Sequence, residues 1–338
     1  MKITPHIILT AALACTLPSC EKILFEPEPA SGPVSIFETV WTNFNENYAP
    51  FEERGVDWQA LYEQYRPQIG DHSSGEDLYN VLTSMMKHLD DGHVQLTVPG
   101  RKVFYANYHY DQRPEEHLFD LAVVRGNYLN LAREEQGEYT TGWAGQGILY
   151  IHFPYVGPNW AMLSKMLDEF PDTRGLIIDL RQNQGGDFTF AFEHLARLSP
   201  EQRLVFSSKT KNGPGKDDFT PWHQWYLEAG EPFHQMEKIV VLADRLTISA
   251  GERAVMGIRA LPNAIQIGDT TNGAHSTMIG RELANGWYHT LATQKVMLAD
   301  GNSYEGIGMI PDIFVKNTPE ELENGIDQVL EMALEQFQ

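Results

Sequence analysis

The sequence predicts an α/β protein with a largely parallel sheet, preceded by a small helical bundle. Short apolar, β-branched runs at 147–153, 175–181, 238–244 and 264–268 are each bounded by turn residues. Helical patterns lie between them, at Trp160–Phe170, Phe188–Leu198 and Ala250–Leu261. Continuous apolar runs of strand length that alternate with helices imply βαβ units with both sheet faces covered. The first third of the chain has a different period. Ile36, Val40, Phe44 and Tyr48 recur every four residues, then Trp58, Leu61, Tyr62 and Tyr65, then Leu78, Val81, Leu82, Met85 and Leu89. Three such apolar stripes predict three amphipathic helices.

Ahead of the bundle, Met1 and Lys2 give a basic start, and Ile7–Leu17 is an apolar stretch of signal-peptide length, too short to span a bilayer. It ends in Leu17, Pro18, Ser19 and Cys20, which resembles the lipobox of bacterial lipoproteins. The expected organisation is a signal peptide over 1–19, a proline-rich tether over 20–34, a helical subdomain over 35–98 and an α/β core over 99–338. Lipid on Cys20 would place the domain in the bacterial cell envelope, held to a membrane without crossing it. The second cysteine, Cys15, falls in the removed segment, so the mature chain is expected to have no disulfide and no thiol chemistry.

A formal charge of −21 excludes a nucleic-acid partner and a basic membrane-binding patch. With 42% hydrophobic residues in 338, a large buried core is within reach. No His-Glu-x-x-His is present and the histidines lack metal-ligand spacing, so neither metal nor other cofactor is expected. The segment from Glu201 to Gln235 breaks the α/β rhythm and holds Trp222, Trp225 and Tyr226, aromatics expected to pack on the core.

Four segments carry candidate chemistry. TISAGE at 247–252 follows an apolar strand and opens a helix, which can present Ser249 at a helix N-terminus. The same Ser249 and Glu252 also read as a capping box. The stretch DLRQNQGG at 179–186 places Gly185 and Gly186 at a strand-to-helix turn, where backbone N–H groups can face an anion. LDDGHV at 89–94 puts His93 just past a helix, and Glu305 sits in EGIGMIPD at 305–312.

Taken in order, with GDTTNG at 268–273, these segments resemble the carboxy-terminal-processing and tricorn-like serine peptidases, and the likeness runs from about Ser35 to Leu334. The resemblance implies a Clp-protease/crotonase-like core of ββα units. One branch of that family pairs its serine with a lysine; the matching position here is Ala274. The fifty or so residues between His93 and the first core strand also leave no room for that branch's PDZ domain. The tricorn-like branch uses a histidine and a late glutamate, which implies a Ser249, His93 and Glu305 triad. The relay serine that precedes the histidine in tricorn is Gly92 here, so Glu305 is expected to reach His93 directly, or through another hydroxyl or water.

On this reading His93 takes the proton of Ser249, Glu305 orients the imidazole, and the N–H groups of Ala250 and of Gly185 or Gly186 hold the oxyanion. Peptides or unfolded chain ends are the expected substrates. His275 and His289 are the alternative bases. The alternative functions on the same fold are a non-catalytic binding protein and an acyl-CoA enzyme of the crotonase type.

Overall fold

The computed structural model describes residues 30–338, so the signal-peptide and Cys20 expectations lie outside the described residues. Helices α1 (Pro33–Asn47), α2 (Trp58–Tyr65) and α3 (Gly75–Met86) form the bundle. Their starts follow from local chemistry. Proline opens α1, the Asp57 carboxylate accepts from Ala60 N at 3.0 Å to cap α2, and Ser74 with Asp77 forms a capping box on α3. The stripes read from the sequence are the buried faces: Ile36, Val40, Phe44, Leu78, Leu82 and Met85 are nearly inaccessible.

Two short strands follow, β1 (Gln95–Thr97) and β2 (Phe104–Tyr105), and then α4 (Tyr108–Gln112) and α5 (Leu121–Asn127). The central sheet starts with β3 (Asn130–Glu135), β4 (Tyr139–Gly145) and β5 (Ile148–His152). After α6 (Ala161–Glu169) come β6 (Gly175–Asp179) and α7 (Phe188–Leu195). A hairpin of β7 (Arg203–Thr210) and β8 (His223–Leu227) precedes β9 (Lys238–Ala243), α8 (Ala250–Arg259) and β10 (Ala264–Gly268). The chain continues through β11 (Met278–Glu282), β12 (Tyr288–Ala292), β13 (Gln294–Leu298) and β14 (Ile313–Phe314), and then α9 (Pro319–Glu323) and α10 (Gln328–Glu335).

The seven-stranded sheet has the order β14-β10-β9-β6-β5-β4-β3. From β14 to β5 the pairing is parallel; β4 and β3 join antiparallel. The four inner runs are largely apolar because helices cover both faces. Leu149, Ile151, Leu176, Ile178, Ile239 and Val241 pack toward α6, α7 and α8, while Ile148, Tyr150, Ile177, Val240 and Leu242 pack toward α5 and α10. Period-two alternation therefore sorts one apolar run into two cores.

The bundle does not have its core to itself. Leu96, Phe104, Leu291 and Ala292, from the antiparallel sheet β11-β12-β1-β2, pack with Phe37, Phe44, Met85 and Met86. Strands from the far end of the chain thus tie the bundle to the α/β half. The 201–235 segment supplies β7 and β8 to a sheet of order β13-β7-β8. There Trp225 meets Phe188 edge-on at 5.0 Å, as expected of a core-packing aromatic, while Trp222 stays 44% exposed.

Candidate active site

Ser249 stands between β9 and α8 with φ 58° and ψ −122°, a sparsely populated region for a residue with a side chain. Such backbone persists only where neighbours over-determine it. Here Asp244 Oδ1 accepts from the N–H groups of Gln182, Leu246 and Thr247, each at 3.0 Å. Thr247 Oγ1 donates to Leu180 O at 2.8 Å, and Ile248 N donates to Asn183 O at 3.1 Å. Burial pushes the Asp244 carboxyl up to about 6, so the turn is held by a group that stays mostly ionised at neutral pH. An ordinary N-cap has extended backbone; Ser249 does not. Helix α8 is buried from Ala250 to Ile258, which keeps its N-terminal dipole poorly screened.

The Gly-Gly turn lies against this serine. A Cβ on Gly185 would sit 2.8 Å from Ser249 Cβ, and one on Gly186 would sit 2.0 Å from Val156 O. Gly185 N–H is committed to Asn183 Oδ1 at 3.0 Å. Among the described residues Gly186 N–H and Ala250 N–H have no acceptor, and both residues line the cleft. Of the expected oxyanion donors, the structure therefore keeps Ala250 and Gly186 and occupies Gly185 locally.

His93 lines the same cleft, of about 560 Å³, together with Ser249, Gly186 and Ala250. Its backbone is pinned by His93 N to Asp91 Oδ1 at 2.8 Å and by Thr290 Oγ1 to His93 O at 2.6 Å. Burial lowers the imidazole below its ordinary value, only partly offset by Asp91 and Glu252, so the ring is neutral at pH 7. Its Nδ1 is enclosed without a partner, which leaves Nε2 as the nitrogen open to the cleft. No hydrogen bond joins His93 to Ser249 among the described residues; such contacts are often long before substrate binds. A larger hollow of about 820 Å³, between the α1–α2 loop and β7, contains neither residue.

Of the two expected routes from Glu305 to His93, direct or through a hydroxyl or water, the structure does not show the direct one. Its Oε1 pairs with Arg54 Nη2 at 2.7 Å, and its Oε2 accepts from His275 N at 3.0 Å and Ser276 N at 3.2 Å. No hydrogen bond reaches His93. Burial, with Asp91 nearby, pushes Glu305 up, against the pull of Arg54 and His275. Arg54 also donates to Gly273 O at 2.7 Å and lies 3.6 Å from Asp91 Oδ2, while Tyr48 donates to that oxygen at 2.8 Å. Sequence reasoning missed Arg54 because a lone arginine after two glutamates reads as a solvated charge.

Glu252 is more than a helix cap. Ser249 N donates to its Oε2 at 3.3 Å, but the carboxylate also accepts from Gly273 N and Ala274 N, each at 2.8 Å, and from Thr271 Oγ1. Its Oε1 stands 3.0 Å from His275 Nε2, with both side chains fully buried. Burial alone would raise Glu252 and lower His275; their pairing outweighs it and reverses both shifts. His275 is thus consumed by Glu252. His289 is held by Asn43 Nδ2 at 3.0 Å and stacked on Phe44, and neither histidine lines the cleft.

A strained serine at a helix start, a neutral histidine and two unpaired N–H groups around one cleft are the parts of a serine hydrolase. Residues 147–315 match the model of peptidase family S41, and residues 33–87 match that of the tricorn protease C1 domain. The chain belongs to peptidase family S41, a family of serine peptidases. It is 26% identical over 218 residues to "Putative tricorn protease homolog 2" of Streptomyces coelicolor (strain ATCC BAA-471 / A3(2) / M145). That match covers 60% of this chain and 16% of the relative, so the chain spans about a sixth of that protein's length. Among solved structures, a "putative peptidase from Parabacteroides merdae ATCC 43184" superposes with a TM-score of 0.80 at 26% identity, over 90% of this chain and 96% of that one. Mature CPAF complexed with lactacystin superposes at 0.66 and 11% identity, over 88% and 96%, a likeness of fold.

Proposed function

We propose that the chain is a serine peptidase in which Ser249 is the nucleophile and His93 the general base. The observation that carries this is the forced backbone of Ser249, held beside His93, Gly186 and Ala250 at one cleft. His93 Nε2 takes the hydroxyl proton as Oγ bonds to the peptide carbonyl carbon. The N–H groups of Ala250 and Gly186 receive the negative oxygen, each donor of this kind typically worth about 10²–10³ in rate. The C–N bond then breaks, the imidazolium returns its proton to the leaving amine, and water releases the acyl group by the same route in reverse. Glu305 supports the base as a buried acid that holds Arg54 and the 275–276 backbone in place. Cys20 carries the lipid anchor, and the 20–34 stretch tethers the domain to a membrane of the bacterial envelope.

The test is labelling of the mature protein with a fluorophosphonate, followed by peptide mapping. Label on Ser249, lost in His93→Ala, supports the pair; normal peptide turnover in Ser249→Ala overturns it. A fatty-acid analogue incorporated by the wild type and not by Cys20→Ser tests the anchor.

A further inference from the structure

One cation at the cleft has no anion of its own. Arg253 is 4% exposed and lines the cleft with Ser249 and His93. It sits one turn along α8 from the nucleophile, its backbone N donating to Ser249 O at 3.1 Å. The two residues are thus joined through the backbone at the start of the helix and line one cleft.

The guanidinium makes only neutral contacts. Nε donates to His275 O at 2.9 Å, and Nη2 donates to Gln294 Oε1 at 2.7 Å and Thr277 Oγ1 at 3.5 Å. Phe188 and Phe206 lie under the group at 4.8 and 5.0 Å. Nη1 has no acceptor among the described residues, and it is not one of the enclosed unpartnered atoms, so it faces the cleft. The two carboxylates whose charge acts on it, Glu305 and Glu252, are committed elsewhere, to Arg54 and to His275. Burial accordingly depresses Arg253 to about 10, the reverse of a salt-bridged arginine such as Arg181. A buried guanidinium is normally paired, and in a chain of charge −21 this one is left open at the reaction centre.

We propose that Arg253 receives a carboxylate of the substrate within about two residues of the scissile bond, which makes acidic peptides the preferred class. This rests on the cleft around Ser249 being the peptide site. The carboxylate is either an Asp or Glu side chain or the free C-terminus of the substrate. A guanidinium whose Nη1 donors are unused suits either one.

The experiment has a binding arm and a cleavage arm. In the binding arm, Ser249→Ala protein is titrated with an end-capped peptide bearing Glu, with its Gln counterpart, and with the Gln peptide carrying a free C-terminal carboxylate. One carboxylate peptide is expected to bind at least about tenfold tighter than the capped Gln peptide. That ratio is expected to fall to within about twofold in Ser249→Ala/Arg253→Gln. Which carboxylate gains identifies its source. Equal binding of all three peptides, or a preference that survives Arg253→Gln, overturns the proposal. In the cleavage arm, a peptide mixture digested by wild type is read by mass spectrometry. Cuts next to acids, or near free but not amidated C-termini, support the proposal, and cuts indifferent to charge overturn it. Fluorophosphonate labelling of Ser249 is scored separately. A protein that binds the carboxylate but takes no label refutes the peptidase reading and leaves the Arg253 site standing.

Discussion

Asn272 Oδ1 lies 2.8 Å from the point where a Cβ on Gly92 would stand, and Ile248 Cδ1 lies 2.4 Å from it. Asn272 cannot easily withdraw, because its Nδ2 donates to Asn107 Oδ1 at 3.0 Å and to Arg245 O at 3.1 Å. The residue before the base is therefore a glycine for steric reasons, and Asn272 fills the place that a relay serine would occupy. Gly92→Ser is expected to destabilise the protein by about 1–3 kcal/mol through overpacking and to lower activity by displacing His93. A urea titration with unchanged midpoint and full turnover would contradict this.

Glu252 and His275 give a second expectation. If Glu252 were only a cap, its removal would cost about 1 kcal/mol. As half of a fully buried pair that also holds two backbone N–H groups, Glu252→Gln is expected to cost about 3–5 kcal/mol. Comparing the denaturation midpoint with that of Asp57→Ala, which removes a plain cap, separates the two roles.

Arg54 joins the bundle to the loop that carries Glu305. Arg54→Met leaves Asp91 and Glu305 buried without their cation, and is expected to cost about 3–5 kcal/mol. Glu305→Gln keeps the size of the side chain and should reduce kcat/KM by one to two orders of magnitude less than Ser249→Ala does. Equal losses in the two variants would mean that Glu305 acts as one unit with the serine and histidine.

The pH dependence follows from burial. His93 titrates below its ordinary 6.5, so the acid limb of kcat/KM is expected below that value, with activity retained as pH falls through 6.5. Stability moves the other way. His289 is held down to about 4, so between 6.5 and about 4 the unfolded chain binds a proton that the fold refuses. Stability is then present above 6.5 and is lost as pH falls through that window, by roughly 3 kcal/mol for this one group. His275 opposes the trend, since its raised value favours the fold at low pH. Denaturation at several pH values, with His289→Gln showing the smaller acid loss, checks the sign.

The sequence exposes what is periodic and hides what is short or distant. The apolar stripes of α1 to α3 and the runs of β5, β6, β9 and β10 were legible because burial imposes a repeat. Strands of two or three residues, such as β1 and β2, are too brief to alternate, and β11 and β12 are legible only as partners of the bundle. In the site, the Ser249 turn and the Gly185–Gly186 turn could be read because strand, turn and helix succeed one another locally. Arg54 and Glu305 are 251 positions apart in sequence, and the Glu252–His275 pair arises from a loop folding back. Spacing along a chain does not encode either contact. The same limit applies to Glu305 and His93, whose route of contact the motifs leave open.

The proposed base and nucleophile come from different parts of the chain, His93 from the end of the bundle and Ser249 from the α/β half. The two halves meet through strands contributed by both ends of the sequence. On the proposed assignment a partly folded chain would hold the serine and the histidine apart, so peptide turnover is expected only once the seam between the two halves has closed.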